Sequence, residues 1–179
     1  MRIAISGTHY SGKTSLVEAL MKALPKYEFY EEPYRLLEDE GYEFSHPPSL
    51  DDFEHQIDYS LNLIEESSTN AVFDRSPVDL LAYALVQAED EGKEFDSDHF
   101  LEKIEDKLDS LDLIVFLGIE SPDRIPLPKS EDREFRSAVD DKIREILTQN
   151  SLGIVSNIDV LELHGPLNKR ISELLKIIN

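Results

Sequence analysis

One segment constrains this chain more than any other. Gly7-Thr8-His9-Tyr10-Ser11-Gly12-Lys13-Thr14 matches GxxxxGK[ST] in full. Such a loop works only between a strand and a helix: its backbone N–H groups turn inward around phosphate oxygens, and the helix behind it adds the positive end of its dipole. Both flanks are present. Arg2 to Ser6 reads as a strand, and Ser15 to Leu24 as a helix with Leu16, Ala19, Leu20 and Ala23 on one face, stopped by Pro25. Lys13 is then the group that reaches the β- and γ-phosphates, and the Thr14 hydroxyl is a ligand for Mg²⁺. Gly7, Ser11, Gly12, Lys13, Thr14 and Ser15 form the nucleotide-binding set. His9 reads as a spacer residue facing solvent or substrate.

Strand-like and helix-like stretches alternate along the rest of the chain, the pattern of an α/β parallel sheet. Tyr27 to Tyr30 is a short strand closed by Glu31-Glu32-Pro33, and Ser49 to Glu66 a long helix with Ser49 as N-cap. Ala71 to Phe73 is a strand ending at Asp74, and Pro77 to Ala88 a helix opened by proline. Leu113 to Leu117 has the unbroken apolar character of a strand buried on both faces. A helix from about Asp98 to Leu108 precedes it, and a charged helix from about Ser130 to Thr148 follows. Val160 to Leu163 is the last strand and Pro166 to Ile178 the last helix. At 179 residues, with neither linker nor repeat, the chain reads as one domain, 1–179.

Charge and composition exclude several classes. The formal net charge of −20 repels nucleic acid and anionic lipid, yet leaves room for a small anion in a local pocket. Residues 86–112 alone carry eleven acids against three bases and read as a solvated face. Cys is absent, which removes disulfides and thiolate chemistry. No run is long enough to span a membrane and the N-terminus lacks a signal peptide's apolar stretch, so a cytoplasmic protein is expected.

A phosphate loop says nucleotide binding, not what is done with the nucleotide. Neither DxxG with NKxD nor an LSGGQ-type signature occurs, and the chain is short for an AAA-type motor, with no strand ending in an Asp-Glu pair. What remains is the compact kinase branch. Asp74-Arg75-Ser76 resembles the acidic-Arg-Ser element of deoxynucleoside kinases, and Glu32-Pro33 their Glu-Pro element. Gln56 and a short basic lid also resemble ribosylnicotinamide kinases. The departures are that Phe53 and Gln56 are three apart rather than adjacent, and that Asp74 stands where Glu is usual. The resemblance implies a three-layer phosphate-loop kinase fold with a five-stranded parallel sheet in the order 2-3-1-4-5. It also implies a lid at about 121–144, where six of the 18 basic residues gather, Arg133 and Arg136 among them on one helix face. Arg124 resembles the lid arginine that stacks on adenine, and Gly165 lies where related kinases pass their backbone beside the base.

Phosphoryl transfer gives several residues a reason of their own. Asp74 is placed to hold Mg²⁺ or to cap the next helix, and Glu32 to accept a substrate proton or to stand on the surface. Arg75 either clamps a phosphate or the acceptor, or pairs with an acid. The lid arginines close over the transferring phosphate or pair with neighbouring carboxylates. The expected activity is ATP- and Mg²⁺-dependent phosphorylation of a small molecule, a nucleoside or nucleoside-like hydroxyl compound. A nucleotide kinase and a regulatory ATPase module are the alternatives.

Overall fold

In the computed structural model, which describes residues 1–178, the strand that opens the chain lies at the centre of the sheet. Among the described residues the strands are β1 (Arg2–Ser6), β2 (Glu28–Tyr30), β3 (Ala71–Asp74), β4 (Leu113–Phe116) and β5 (Asp159–Glu162). They pair in parallel in the order β2-β3-β1-β4-β5, as expected for the phosphate-loop kinase architecture. The helices are α1 (Lys13–Ala23), α2 (Pro33–Asp39), α3 (Leu50–Glu66), α4 (Pro77–Asp90), α5 (Asp98–Leu108), α6 (Arg133–Gln149) and α7 (Leu167–Ile178).

Successive side chains of a strand point to opposite faces, and this alternation makes the three layers. Ile3, Ile5, Val72 and Val115 pack on one face against Leu16 and Leu20 of α1 and Leu174 of α7. Ala4, Phe73, Ile114 and Phe116 pack on the other against residues of α3, α4, α5 and α6. β1 is flanked by β3 and β4, with Ile5 level with both Asp74 and Val115. The C-terminal ends of β1, β2 and β3 therefore open on one crevice, where an open parallel sheet binds its ligand.

Two differences from the sequence reading bear on that crevice. α2 follows Glu32 directly, with Pro33 as its first residue, where the sequence showed only the close of the strand. Proline's fixed φ suits a first helical turn, so the residue that closes β2 also starts a helix. The charged helix α6 begins at Arg133 rather than Ser130, because the Asp132 carboxylate accepts from the Glu134 and Phe135 amides and caps it.

Candidate active site

The loop from Gly7 to Thr14 joins β1 to α1 with φ of 147° at Gly7 and 94° at Gly12, which favour glycine. A Cβ on Gly7 would stand 2.5 Å from the Leu117 carbonyl oxygen, so the loop can pass β4 only there without a side chain. The Gly7 amide donates to Asp79 Oδ1 at 2.8 Å, and the other Asp79 oxygen accepts from the Ser76 amide at 2.8 Å. With Ser76 this is a capping box that ties the start of α4 to the start of the loop. The Ser11 hydroxyl is buried with no protein partner, as suits a cradle for a hydrogen-bonding anion.

Lys13 is buried and its Nζ donates to the Thr8 carbonyl at 3.0 Å. Burial, with the Arg75 charge adding, pulls its pKa down to about 8 although Asp74, Asp79 and Glu32 oppose the shift. Asp74 is also buried and its Oδ1 has no protein partner. Burial raises its pKa against the pull of Lys13 and Arg75. Ser76, not Asp74, caps α4, which frees this carboxylate from the structural reading. The orphaned Asp74 carboxylate oxygen and Thr14 line the same cavity, and such a pair of oxygen ligands fits a hydrated Mg²⁺. No cluster of three or more His, Cys, Asp or Glu able to hold a metal ion exists among the described residues.

Glu32 lies at the N-terminus of α2 with ψ of 141°, the extended backbone that a following proline favours. Its Oε2 accepts from Arg75 Nε at 2.8 Å, and Arg35 approaches Oε1 at 3.5 Å. Burial pushes the Glu32 carboxyl up, but the Arg75 guanidinium outweighs it and the pKa lies below the usual value. Arg75 itself has φ of 84° and reaches the Gly7 carbonyl at 3.3 Å. A non-glycine residue in that region costs about 1–3 kcal/mol, a strain typical of functional sites. Of its two sequence readings, the acid pair is formed.

Two cavities meet at these side chains. One, of about 700 Å³, follows the loop past Lys13, Thr14 and Asp74. The other, of about 490 Å³, is walled by Tyr34, Phe53, Leu80, Tyr83 and Phe135, with Gln56 and Gln87 among its polar groups. Phe53 and Tyr83 stack with ring centres 6.0 Å apart. His9, Glu32 and Arg75 line both cavities. The Tyr83 hydroxyl accepts from the His9 amide at 2.9 Å and lies 2.7 Å from His9 Nδ1. Burial and the charges of Arg75, Arg136 and Lys13 pull the His9 pKa down to about 4. The spacer residue is therefore a neutral imidazole between the two cavities.

The lid residues divide. Arg133 is exposed at the start of α6, whereas Arg136 is buried. Arg136 donates to the carbonyls of His9 at 2.9 Å and Tyr10 at 3.0 Å, and pairs with Asp123 at 2.6 Å. The shared helix face expected of the two arginines is thus split by burial. Arg124 pairs with Glu120, and the same carboxylate accepts from the Gly165 amide at 2.6 Å, which brings both base-site candidates together. Their neighbours Ile125 and Leu167 supply apolar walls beside Gly12 and Ser15.

Arg170 escaped the sequence reading. It is buried, donates to the Ser11 carbonyl at 3.1 Å and pairs with Glu120 at 2.9 Å. The signal was its place on the apolar stripe of the last helix, one turn before Leu174. Asp79 was legible as well, because Ser76-x-x-Asp79 is a capping pattern.

A family model described as an AAA domain matches residues 2–170. None of the curated proteins compared matches the chain. Among solved structures, deoxyadenosine kinase from M. mycoides with bound dATP superimposes with a TM-score of 0.70 at 16% identity, covering 100% of both chains. Thymidylate kinase from Candida albicans gives 0.63 at 17%, covering 98% of this chain and 89% of its own. A NadR protein in complex with NAD and AMP-PNP gives 0.64 at 18%, covering 98% of this chain and 48% of its own. These likenesses establish a phosphate-loop kinase fold. The family description also shows that excluding an AAA-type motor on length and on the missing Asp-Glu pair did not exclude the AAA domain itself.

Proposed function

We propose that this chain, which belongs to the AAA domain family, uses Mg-ATP to phosphorylate a hydroxyl of a nucleoside or nucleoside-like small molecule. The observation that carries the reading is the wall shared by two cavities, with Glu32 and Arg75 facing both. A hydrolytic switch needs one site and water; a kinase needs a second site beside the first.

In this reading the loop amides and Lys13 hold the β- and γ-phosphates, with Gly7, Ser11, Gly12, Thr14 and Ser15 shaping the cradle. Arg124 and Gly165 border the base. Thr14 and Asp74 would hold Mg²⁺, which would supply neutralising charge to the phosphates. Glu32 accepts the proton of the attacking hydroxyl, and its low pKa keeps it ionised for that task. Arg75 orients Glu32, and Arg133 stands free to approach the transferring group from the lid. The aromatic pair Phe53 and Tyr83 offers a flat surface for a ring.

The charge of the acceptor cavity favours a hydroxyl acceptor over a phosphate. Glu32, Asp90, Glu91 and Glu131 line it, against one guanidinium that Glu32 already engages. A phosphate entering there meets net negative charge.

The test compares Glu32→Gln with Glu31→Gln. Glu31 is half exposed and pairs with Arg35 at 3.3 Å. Acceptor-dependent ADP release is measured over a panel of nucleosides, ribosylnicotinamide and monophosphates. Glu32→Gln should lose about 10²–10⁴-fold in turnover with Mg-ATP binding retained, and Glu31→Gln should stay active. Equal activities remove Glu32 as the base, and ATP hydrolysis indifferent to every acceptor replaces the kinase by a switch.

A further inference from the structure

When the N–H groups of a phosphate loop converge on a ligand, its carbonyls must point outward, and buried carbonyls need donors. Here each carbonyl from Gly7 to Ser11 meets a cation. Arg75 Nη1 reaches Gly7 O at 3.3 Å, Lys13 Nζ reaches Thr8 O at 3.0 Å, and Arg170 Nη1 reaches Ser11 O at 3.1 Å. Arg136 spans the two between, with Nε on His9 O at 2.9 Å and Nη2 on Tyr10 O at 3.0 Å. Lys13, Arg136 and Arg170 are the buried Lys and Arg side chains among the described residues, and all three are spent on this loop.

From this geometry we infer that Arg136 and Arg170 are positioning residues of the nucleotide site, which hold the loop carbonyls outward from two different helices so that the amides face the phosphates before any nucleotide arrives. Two features separate them from ordinary buried ion pairs. Each has a carboxylate partner, Asp123 for Arg136 and, shared with Arg124, Glu120 for Arg170, so neither charge depends on the loop alone for neutralisation. Each nonetheless directs further N–H groups at loop carbonyls, the fork geometry that arginine has and lysine lacks. A charged donor on a carbonyl also polarises that peptide, which strengthens the opposite N–H as a donor to an anion.

The inference rests on the nucleotide-binding part of the proposed function and not on the acceptor. Binding of MgADP to the full chain therefore tests it. Arg170→Gln should raise the MgADP Kd about 10-fold or more, the loss of one charge-assisted hydrogen bond at a preorganised site. Leu174→Ala is the control: Leu174 is fully buried on the same helix one turn later and belongs to the apolar cluster between α1, α7 and the sheet. It should lower the melting temperature as much as Arg170→Gln or more, with Kd within about twofold of the parent. Arg136→Gln should repeat the Arg170→Gln result from α6, and it carries the test if Arg170→Gln does not fold. Arg170→Lys should lie between parent and Gln variant, because it keeps the charge but lacks the two separate nitrogens with which the guanidinium reaches Ser11 and Glu120. Parent-like Kd in Arg170→Gln or Arg136→Gln overturns the inference. So does an equal loss of affinity in Leu174→Ala, or a parent chain that binds no MgADP. A chain that binds MgADP in this pattern yet phosphorylates no acceptor keeps the inference and loses the kinase reading.

Discussion

Lys13 makes nucleotide affinity depend on pH in a direction opposite to the stability of the fold. Burial pulls its pKa down to about 8, against the ordinary lysine value of 10.5. At pH 7 about nine in ten Lys13 side chains carry the proton, and at pH 9 about one in ten. A phosphate oxygen against Nζ favours the ammonium and returns the group toward its ordinary range. Binding ADP should therefore take up about 0.1 proton at pH 7 and about 0.9 at pH 9, and affinity should fall about 10-fold between the two. For stability the sign reverses. A lysine whose folded pKa is depressed costs stability while both states are protonated, and that cost fades as pH rises from about 8 to about 10.5. Calorimetric titration with ADP in two buffers of different ionisation enthalpy measures the uptake directly, and Lys13→Met should abolish its pH dependence. Uptake that stays near zero at pH 9, or that persists in Lys13→Met, refutes the argument.

Asp74→Asn should remove the Mg²⁺ dependence of turnover together with most activity, while the melting temperature holds or rises, since a buried charge is lost and Ser76 still caps α4; a variant that only melts earlier would place the metal carboxylate elsewhere. Arg133→Ala should lower kcat about 10²-fold with little change in the KM for ATP, the effect of one donor at the transferring group; unchanged kcat makes it a surface residue. Asp140, whose Oδ1 accepts from the Ile119 amide at 3.0 Å, is pushed up to about 6 by burial. Its ionisation costs stability in full above pH 6 and not at all below about pH 3.8, so Asp140→Asn should stabilise by about 1–3 kcal/mol at pH 8 and hardly at pH 4. Thermal melts at the two pH values check this, and a loss at both would show the burial argument to be wrong.

Periodicity carried most of the fold. The capping pattern at Ser49 and the unbroken run at Leu113 put α3 and β4 where they lie, and the loop motif set the β1–α1 junction. Strand order followed from kinase resemblance, not from any local signal, because pairing partners are as far apart as Arg2 and Ala71. α2 was missed because a Glu-Pro pair reads equally as a strand stop and a helix start. At the site, Lys13, Thr14 and Asp74 announced themselves through spacing to a motif or a strand end. Arg136 was legible only as a lid arginine and Arg170 not at all, since their targets are backbone carbonyls 127 and 159 residues away in sequence, and a carbonyl leaves no mark on composition. The lid arginines looked alike in one dimension, and only the packing of α6 on α4 turned one inward.

The central place of β1 has a consequence for how the protein is made. Its neighbours begin at residues 71 and 113, so at ordinary translation rates β1 waits about 5–20 s for β4. Until β3 is made Ile3 and Ile5 have no sheet to enter; Asp79 reaches the loop soon after, but Arg136 and Arg170 are still missing when β4 is complete. Residue 170 reaches the loop last. A nascent chain thus offers nucleotide no finished cradle, and capture of the ligand reports that synthesis has passed the final helix. Ribosome-bound chains stalled before α7 should emerge as poor nucleotide binders, however well their first hundred residues are formed.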